Sequence, residues 1–221
     1  MSTLILQKNQ TSDLVSDKGT PILNMSVGVN WGMINSLGQS KAAGFFGKLA
    51  DKLGATGAVK TAVDLDLSMV FVDKDGKIID VCYFGNKRLW NGAINHTGDD
   101  LTGDEEQDDS DNEIIHFRGL QIPSEVQQVF VVLNSYRHQK FDEIPYIGIN
   151  FYEGIVNMSD KGLRFAEFSM TNDKTFAGKE CCILARLDRT LKGFSCTILG
   201  DCTDDTSLRA LAATAVAKHR S

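Results

Sequence analysis

Val63-Asp64-Leu65-Asp66-Leu67-Ser68-Met69-Val70-Phe71-Val72 is the stretch on which the fold turns. Its first half alternates strictly, with Val63, Leu65 and Leu67 on one side and Asp64, Asp66 and Ser68 on the other. Successive side chains of a strand point to opposite faces, so this pattern predicts a strand with an apolar inner face and an outward polar one. Asp73-Lys74-Asp75-Gly76 then supplies a tight turn, and Ile78 to Phe84 returns antiparallel to complete a hairpin. A calcium-binding EF-hand starting at Asp73 does not fit. Of the required positions only the third, Asp75, is met, the sixth is Ile78 and not glycine, and the flanks are strands.

The same signals recur on either side. Runs rich in β-branched, aromatic and aliphatic residues occur at Thr3 to Gln7, Ile22 to Trp31, Ile114 to Phe117, Gln127 to Asn134, Tyr146 to Tyr152, Leu163 to Met170, Cys181 to Asp188 and Gly193 to Leu199. In the second of these, Met25, Val27, Val29 and Trp31 share a face. About ten strands joined by short turns indicate an all-β sandwich or barrel. Two segments depart from the pattern. Between Gly38 and Ala62 the chain is rich in Gly and Ala, and Phe45, Phe46, Leu49 and Leu53 recur at helical spacing. A short amphipathic helix over 42–53 is predicted there, weakened by Gly44 and Gly47. Residues 204–219 read as a C-terminal helix, capped by Asp or Thr, with Leu208, Leu211, Ala212 and Val216 on one face. With no internal repeat and no Pro-rich linker, the expectation is one domain over residues 1–221, its core at about 22–200 and residues 38–62 inserted.

With 42% hydrophobic and 24% charged residues, the composition is that of a soluble globular chain. The net charge of −6 argues against a general nucleic-acid binder, which needs a basic face to displace counterions. The N-terminus lacks a basic region ahead of its short apolar run, and no window is apolar enough to span a membrane, so the cytoplasm is the expected location. The five cysteines include no Cys-x-x-Cys. Cys181 and Cys182 are adjacent and so point to opposite faces of a strand, and the group reads as reduced, small apolar residues.

The chemistry concentrates between Asp99 and Glu113, where nine of fifteen side chains are carboxylates and none is basic. Such crowding is costly unless the charges are spread through water or neutralised by a hard cation with oxygen ligands. Gly98, Gly103 and Thr102 favour the cation, because they permit tight turns that aim backbone carbonyls inward. Asp64 and Asp66 point the same way. Asp is disfavoured within strands, and two on one face, about 7 Å apart, repel unless something positive lies near them. His96 precedes the Thr97-Gly98-Asp99 turn and reads as an orienting or hydrogen-bonding residue. No nucleophile elbow, phosphate-binding loop or paired Cys/His arrangement is present.

Val63-Asp64-Leu65-Asp66-Leu67-Ser68, the hairpin, His96-Thr97-Gly98-Asp99-Asp100-Leu101-Thr102-Gly103 and the later Asp108-Asp109 pair together resemble the TerD family of tellurium-resistance and stress-response proteins. The likeness continues through Val129-Phe130-Val131-Val132 and Asn134-Ser135-Tyr136 to Phe141, and covers roughly 25–199. It implies a two-sheet, calcium-binding β-sandwich without enzymatic activity. Carried over residue by residue, the metal set is Asp64, Asp66, Asp99, Asp100, Glu106, Asp108 and Asp109, with backbone carbonyls near Leu101 and Gly103. Asp100 stands where the family usually has Asn, and Glu105 and Gln107 replace glycines, so a loop with fewer glycines would hold one ion where relatives hold two. The long 32–62 connection marks a divergent, TerX-like member.

Three functional classes follow. The first is a calcium-dependent structural or adaptor protein whose partners are other proteins of the stress-response system. The second is a calcium-dependent membrane-attaching module anchored by Phe45 and Phe46. The third, a metal-dependent hydrolase, needs an open coordination position and a general base, and the shortage of nearby His and Lys argues against it. Nucleic acid is not an expected partner, and homo-oligomerisation is left open. The 38–53 segment serves either as a partner or self-association surface or as cover for one sheet face. Deleting residues 40–55 separates the two. A partner surface predicts a folded, calcium-binding sandwich that has lost oligomerisation or membrane association, as read by light scattering and liposome pelleting. Cover for the core predicts a stability loss of several times the roughly 1.5–3 kcal/mol of one buried apolar side chain.

Overall fold

The computed structural model describes residues 4–5, 7–16, 18–35, 60–157, 163–171 and 173–220. The predicted helix over 42–53, with Phe45 and Phe46, lies outside the described residues. The strands, in chain order, are β1 (Leu4–Ile5), β2 (Thr11–Asp13), β3 (Asn24–Trp31), β4 (Ile34–Asn35), β5 (Lys60–Thr61), β6 (Leu65–Val72), β7 (Ile78–Cys82), β8 (Arg88–Leu89), β9 (Ile94–His96), β10 (Glu113–Arg118), β11 (Gln128–Ser135), β12 (Ile147–Glu153), β13 (Leu163–Ser169), β14 (Cys181–Thr190) and β15 (Gly193–Thr203). They build a seven-stranded sheet in the order β1-β13-β12-β3-β10-β9-β8 and a six-stranded sheet in the order β2-β15-β14-β11-β6-β7, with β4 and β5 paired apart. All pairings are antiparallel except β1 with β13. The all-β, two-sheet sandwich is therefore the observed architecture. Strands β2, β4, β5, β8 and β9 escape a pattern reading because two or three residues cannot display a period.

The core lies between the sheets. Leu65, Leu67, Met69 and Phe71 of β6 meet Val27, Val29 and Trp31 of β3 and Ile115 and Phe117 of β10. The turn after β6 is the expected hairpin, with the Asp73 carboxylate accepting from the N–H groups of Asp75 and Lys77. Cys181 and Cys182 do face opposite ways, Cys182 into this core and Cys181 into a second layer.

That second layer corrects one expectation. The outward face of β6 is not in solvent, for all eight of its residues are buried. Over Val70 and Val72 the cover is helix α1 (Leu208–His219), whose Leu211, Ala212 and Ala215 pack on Val70, Val72, Phe130 and Val132. Its cap is Ser207, not the expected Asp or Thr. The Ser207 hydroxyl accepts from the Ala210 N–H, leaving Asp205 to accept from Thr214. No helix among the described residues is long and apolar enough to cross a membrane.

Because Leu211 is fully buried against the outer face of the six-stranded sheet, Leu211→Ala is expected to lower unfolding free energy by about 2–5 kcal/mol in urea titrations. A change within about 0.5 kcal/mol, as for a surface substitution, would contradict helix docking as a source of stability.

Candidate metal centre

The site forms where the six-stranded sheet loses an edge. Strand β7 pairs with β6 only as far as Met69↔Cys82. Two residues further along β6, Leu67 presents its N–H and C=O to a neighbour that is no longer there. Buried backbone groups must be paired, and two side chains of the other sheet fill the place. Glu113 Oε2 accepts from the Leu67 N–H at 2.8 Å, and His96 Nε2 lies 3.2 Å from the Leu67 carbonyl. His96 Nδ1 accepts from the Gly98 N–H at 3.3 Å, so Nε2 carries the hydrogen and donates to Leu67 O. The two side chains also approach each other, at 3.4 Å, and both are fully buried.

Glu113 was hidden in the sequence at the tail of the acidic run. Alternation with Ile115 and Phe117, which face the core, is the signal that it points inward. Burial pushes its pKa up against the His96 and Leu67 contacts that lower it, and Oε1 has no hydrogen-bond partner.

Next to this plug, Asp66 and Asn134 stand directly opposite on β6 and β11, and Asn134 Nδ2 donates to Asp66 Oδ2 at 2.8 Å. Asp64, just ahead of β6, lies 3.3 Å from the Arg137 guanidinium, while its Oδ1 is buried without a hydrogen-bond partner. Asp99 reaches in from the loop after β9. One ligand oxygen each from Asp64, Asp66 and Asp99 lie within 4.8 Å of one another. Asp64 and Asp66 are 2% and 4% exposed, so these charges sit where water cannot screen them. Burial raises the Asp64 pKa, opposed by Arg137 and reinforced by Asp99 and Asp100. Burial also drives Asp66 up to about 7, opposed by Asn134 and reinforced by Glu113, Asp64 and Asp99.

The other expected ligands do not join this convergence. Asp100 organises its own turn: Oδ1 accepts from Thr102 N, Thr102 Oγ1 and Gly103 N, and Oδ2 from Asn112. These bonds hold its pKa low despite burial. Gly103 adopts φ +75°, and a Cβ there would lie 2.7 Å from the Trp31 indole, so its role is steric. Leu101, Glu106 and Asp109 are exposed, and the exposed Asp108 caps the Ser110 N–H.

Two further residues of the acidic run are structural anchors. Asp104 accepts from Tyr146 and Asn112, and Asp111 from Asn150 and Tyr152. Backbone bonds between Asp104 and both Trp31 and Met33, and from Val63 to Thr102, seat the loop on the end of β3 and ahead of β6. That seating carries Asp99 to the strand aspartates.

The profile of the TerD domain matches residues 2–214. The chain belongs to the TerD domain family. The chain is 30% identical over 210 residues to the stress response protein SCP2 of Bacillus subtilis (strain 168), covering 92% of this chain and 94% of that one. It is 28% identical over 195 residues to the tellurium resistance protein TerZ of Serratia marcescens, covering 88% of each. The crystal structure of a homologue of telluride resistance protein (TerD) from Streptomyces coelicolor A3(2) shares its fold, with a TM-score of 0.58 and 16% identity over 86% of this chain and 95% of that one.

The raised carboxylates make a signed prediction for the chelator-treated protein. Asp66 has a folded pKa of about 7, above its ordinary 3.8, so the folded chain holds more protons than the unfolded one between those values. Its contribution to stability is fully present below the lower value and is lost as pH rises through the upper. The stability of wild type relative to Asp66→Asn should therefore fall from about pH 4 to about pH 7 and level off above. A difference that is flat across that window, measured by urea denaturation at each pH, would show that Asp66 titrates normally.

Proposed function

We propose that this member of the TerD domain family is a calcium-binding, non-enzymatic structural or adaptor component of a cytoplasmic stress-response or tellurium-resistance system. The observation that carries the reading is the convergence of Asp64, Asp66 and Asp99, all oxygen donors, two of them buried, with Asp64 Oδ1 unpartnered. Ligand oxygens within 4.8 Å of one another suit an ion that binds oxygen at about 2.3–2.6 Å. The absence of Cys or His from that cluster disfavours zinc, and magnesium demands a tighter octahedral cage. Calcium would offset the mutual repulsion of these groups and fix the 98–112 loop against the strand ends.

What this chain's own residues do is positional. Asn134 orients Asp66, Arg137 screens Asp64, and the Asp100 turn presents Asp99. A non-enzymatic role is supported by the engagement of His96, the histidine beside the site, with Leu67 and Gly98. The names of the relatives support the stress-response setting, and partner proteins of that system would read the calcium-ordered end of the sandwich.

Calcium at a hundredfold excess over its Kd is expected to raise unfolding free energy by about 2.7 kcal/mol, seen as a higher melting temperature. Asp99→Asn, at an exposed position, should weaken calcium binding about tenfold or more in calorimetry without lowering the metal-free melting temperature, since it removes one of three mutually repelling charges. A wild-type chain whose melting temperature ignores millimolar calcium would overturn the reading. An unchanged affinity in Asp99→Asn would overturn the placement.

A further inference from the structure

Beside the carboxylates, between the end of β11, the turn after β7 and the start of α1, lies a half-open cleft of 540 Å³. Three aromatic rings line it. Phe84 meets Tyr83 at 5.4 Å between centroids and 83°, and meets Tyr136 at 6.1 Å and 84°. Each tyrosine ring is thus nearly perpendicular to that of Phe84, and all three residues line one space. Tyr136 is 61% exposed, an apolar surface that the fold leaves uncovered.

The rings are held in place. Asn86 donates its backbone N–H to Tyr83 O and its side-chain amide to Val81 O, locking the turn. Tyr83 lies over Gly85, where a Cβ would come within 2.6 Å of the ring. At the other side, the Tyr136 N–H donates to Asp64 O.

The remaining lining is rich in acceptors. Asp66 and Asn134 line the cleft, and Asn134 Oδ1 is buried without a partner. His138, also lining it, is already paired with Glu180 at 2.8 Å. The start of α1 does not turn the cleft into an anion site. Ser207 caps the helix itself, and Asp205 adds a carboxylate two residues ahead. Aromatic faces attract a cation through their quadrupoles, most strongly one that is weakly hydrated, and an acidic floor adds to that attraction.

We infer that the Tyr83–Phe84–Tyr136 cleft is a binding site for a small organic cation with an alkylated ammonium headgroup, the head lying against the aromatic rings and Asp66 contributing its charge from the lining. The cleft shares Asp66 with the candidate metal centre, so its test is made in chelator, where choline binding is read apart from calcium binding.

The test is calorimetric titration of the full chain, in chelator, with choline and with its neutral isostere 3,3-dimethylbutan-1-ol. Choline should bind about tenfold more tightly than the alcohol. Tyr136→Phe, which keeps the ring, should retain that preference. Tyr136→Leu, which keeps an apolar side chain at an exposed position, should lose about fivefold in choline affinity. Calcium affinity should be the same in both variants as in wild type. Equal binding of choline and the alcohol would reduce the cleft to an apolar groove and overturn the proposal. So would no choline binding up to about 10 mM, or full affinity in Tyr136→Leu.

Discussion

The structure depends on how β6 is completed after β7 leaves it. A strand within a sheet needs hydrogen-bond partners on both sides, and a buried, unpaired peptide group costs about 1–3 kcal/mol. Here the missing partner is replaced by the Glu113 carboxylate and the His96 imidazole, both delivered from the opposite sheet. The two sheets are thereby tied together by polar contacts as well as by apolar packing. The tie also places a carboxylate in the interior next to Asp66, and this proximity helps to raise the Asp66 pKa.

From that tie the rest of the site follows. His96 receives the Gly98 N–H, which starts the acidic loop in a fixed direction. Thr97 clamps the same point, with its N–H donating to Ile114 O and its hydroxyl accepting from Ile114 N. The loop then commits three of its carboxylates to its own architecture. Asp100 makes a turn, Asp104 reaches Tyr146, and Asp111 reaches Asn150 and Tyr152. What looks like one block of negative charge is divided into anchors with assigned donors, exposed groups in water, and a single aspartate, Asp99, aimed at the strand pair.

The outer face of the six-stranded sheet shows the same division of labour along one strand. Val70 and Val72 are covered by α1, while Asp66 and Ser68, on the same face, lie beyond the apolar part of that cover. The cleft opens at this boundary, lined by Leu208 at the start of α1 and by Tyr83 and Tyr136. A helix of twelve residues thus both buries one half of a sheet face and frames a cavity over the other.

The chain's local patterns determined the sandwich, because alternation at β3 and β6 and the Asp73–Gly76 turn are short-range statements about which way side chains face. They also determined that Asp64 and Asp66 share a face and that Cys181 and Cys182 do not. Burial of that aspartate face was not legible, since it is set by segments distant in sequence. Nor could spacing choose among the carboxylates of the acidic run, which differ little in local context. Asp99 was separated from Asp100, Asp104 and Asp111 only by which donors the folded chain brought to each. Asn134 became the partner of Asp66 through the β6–β11 register, and Glu113 became a strand's substitute through the early end of β7. These are long-range pairings, set by how the sheets meet, and the physical reason they stay hidden is that no local period encodes the register between strands.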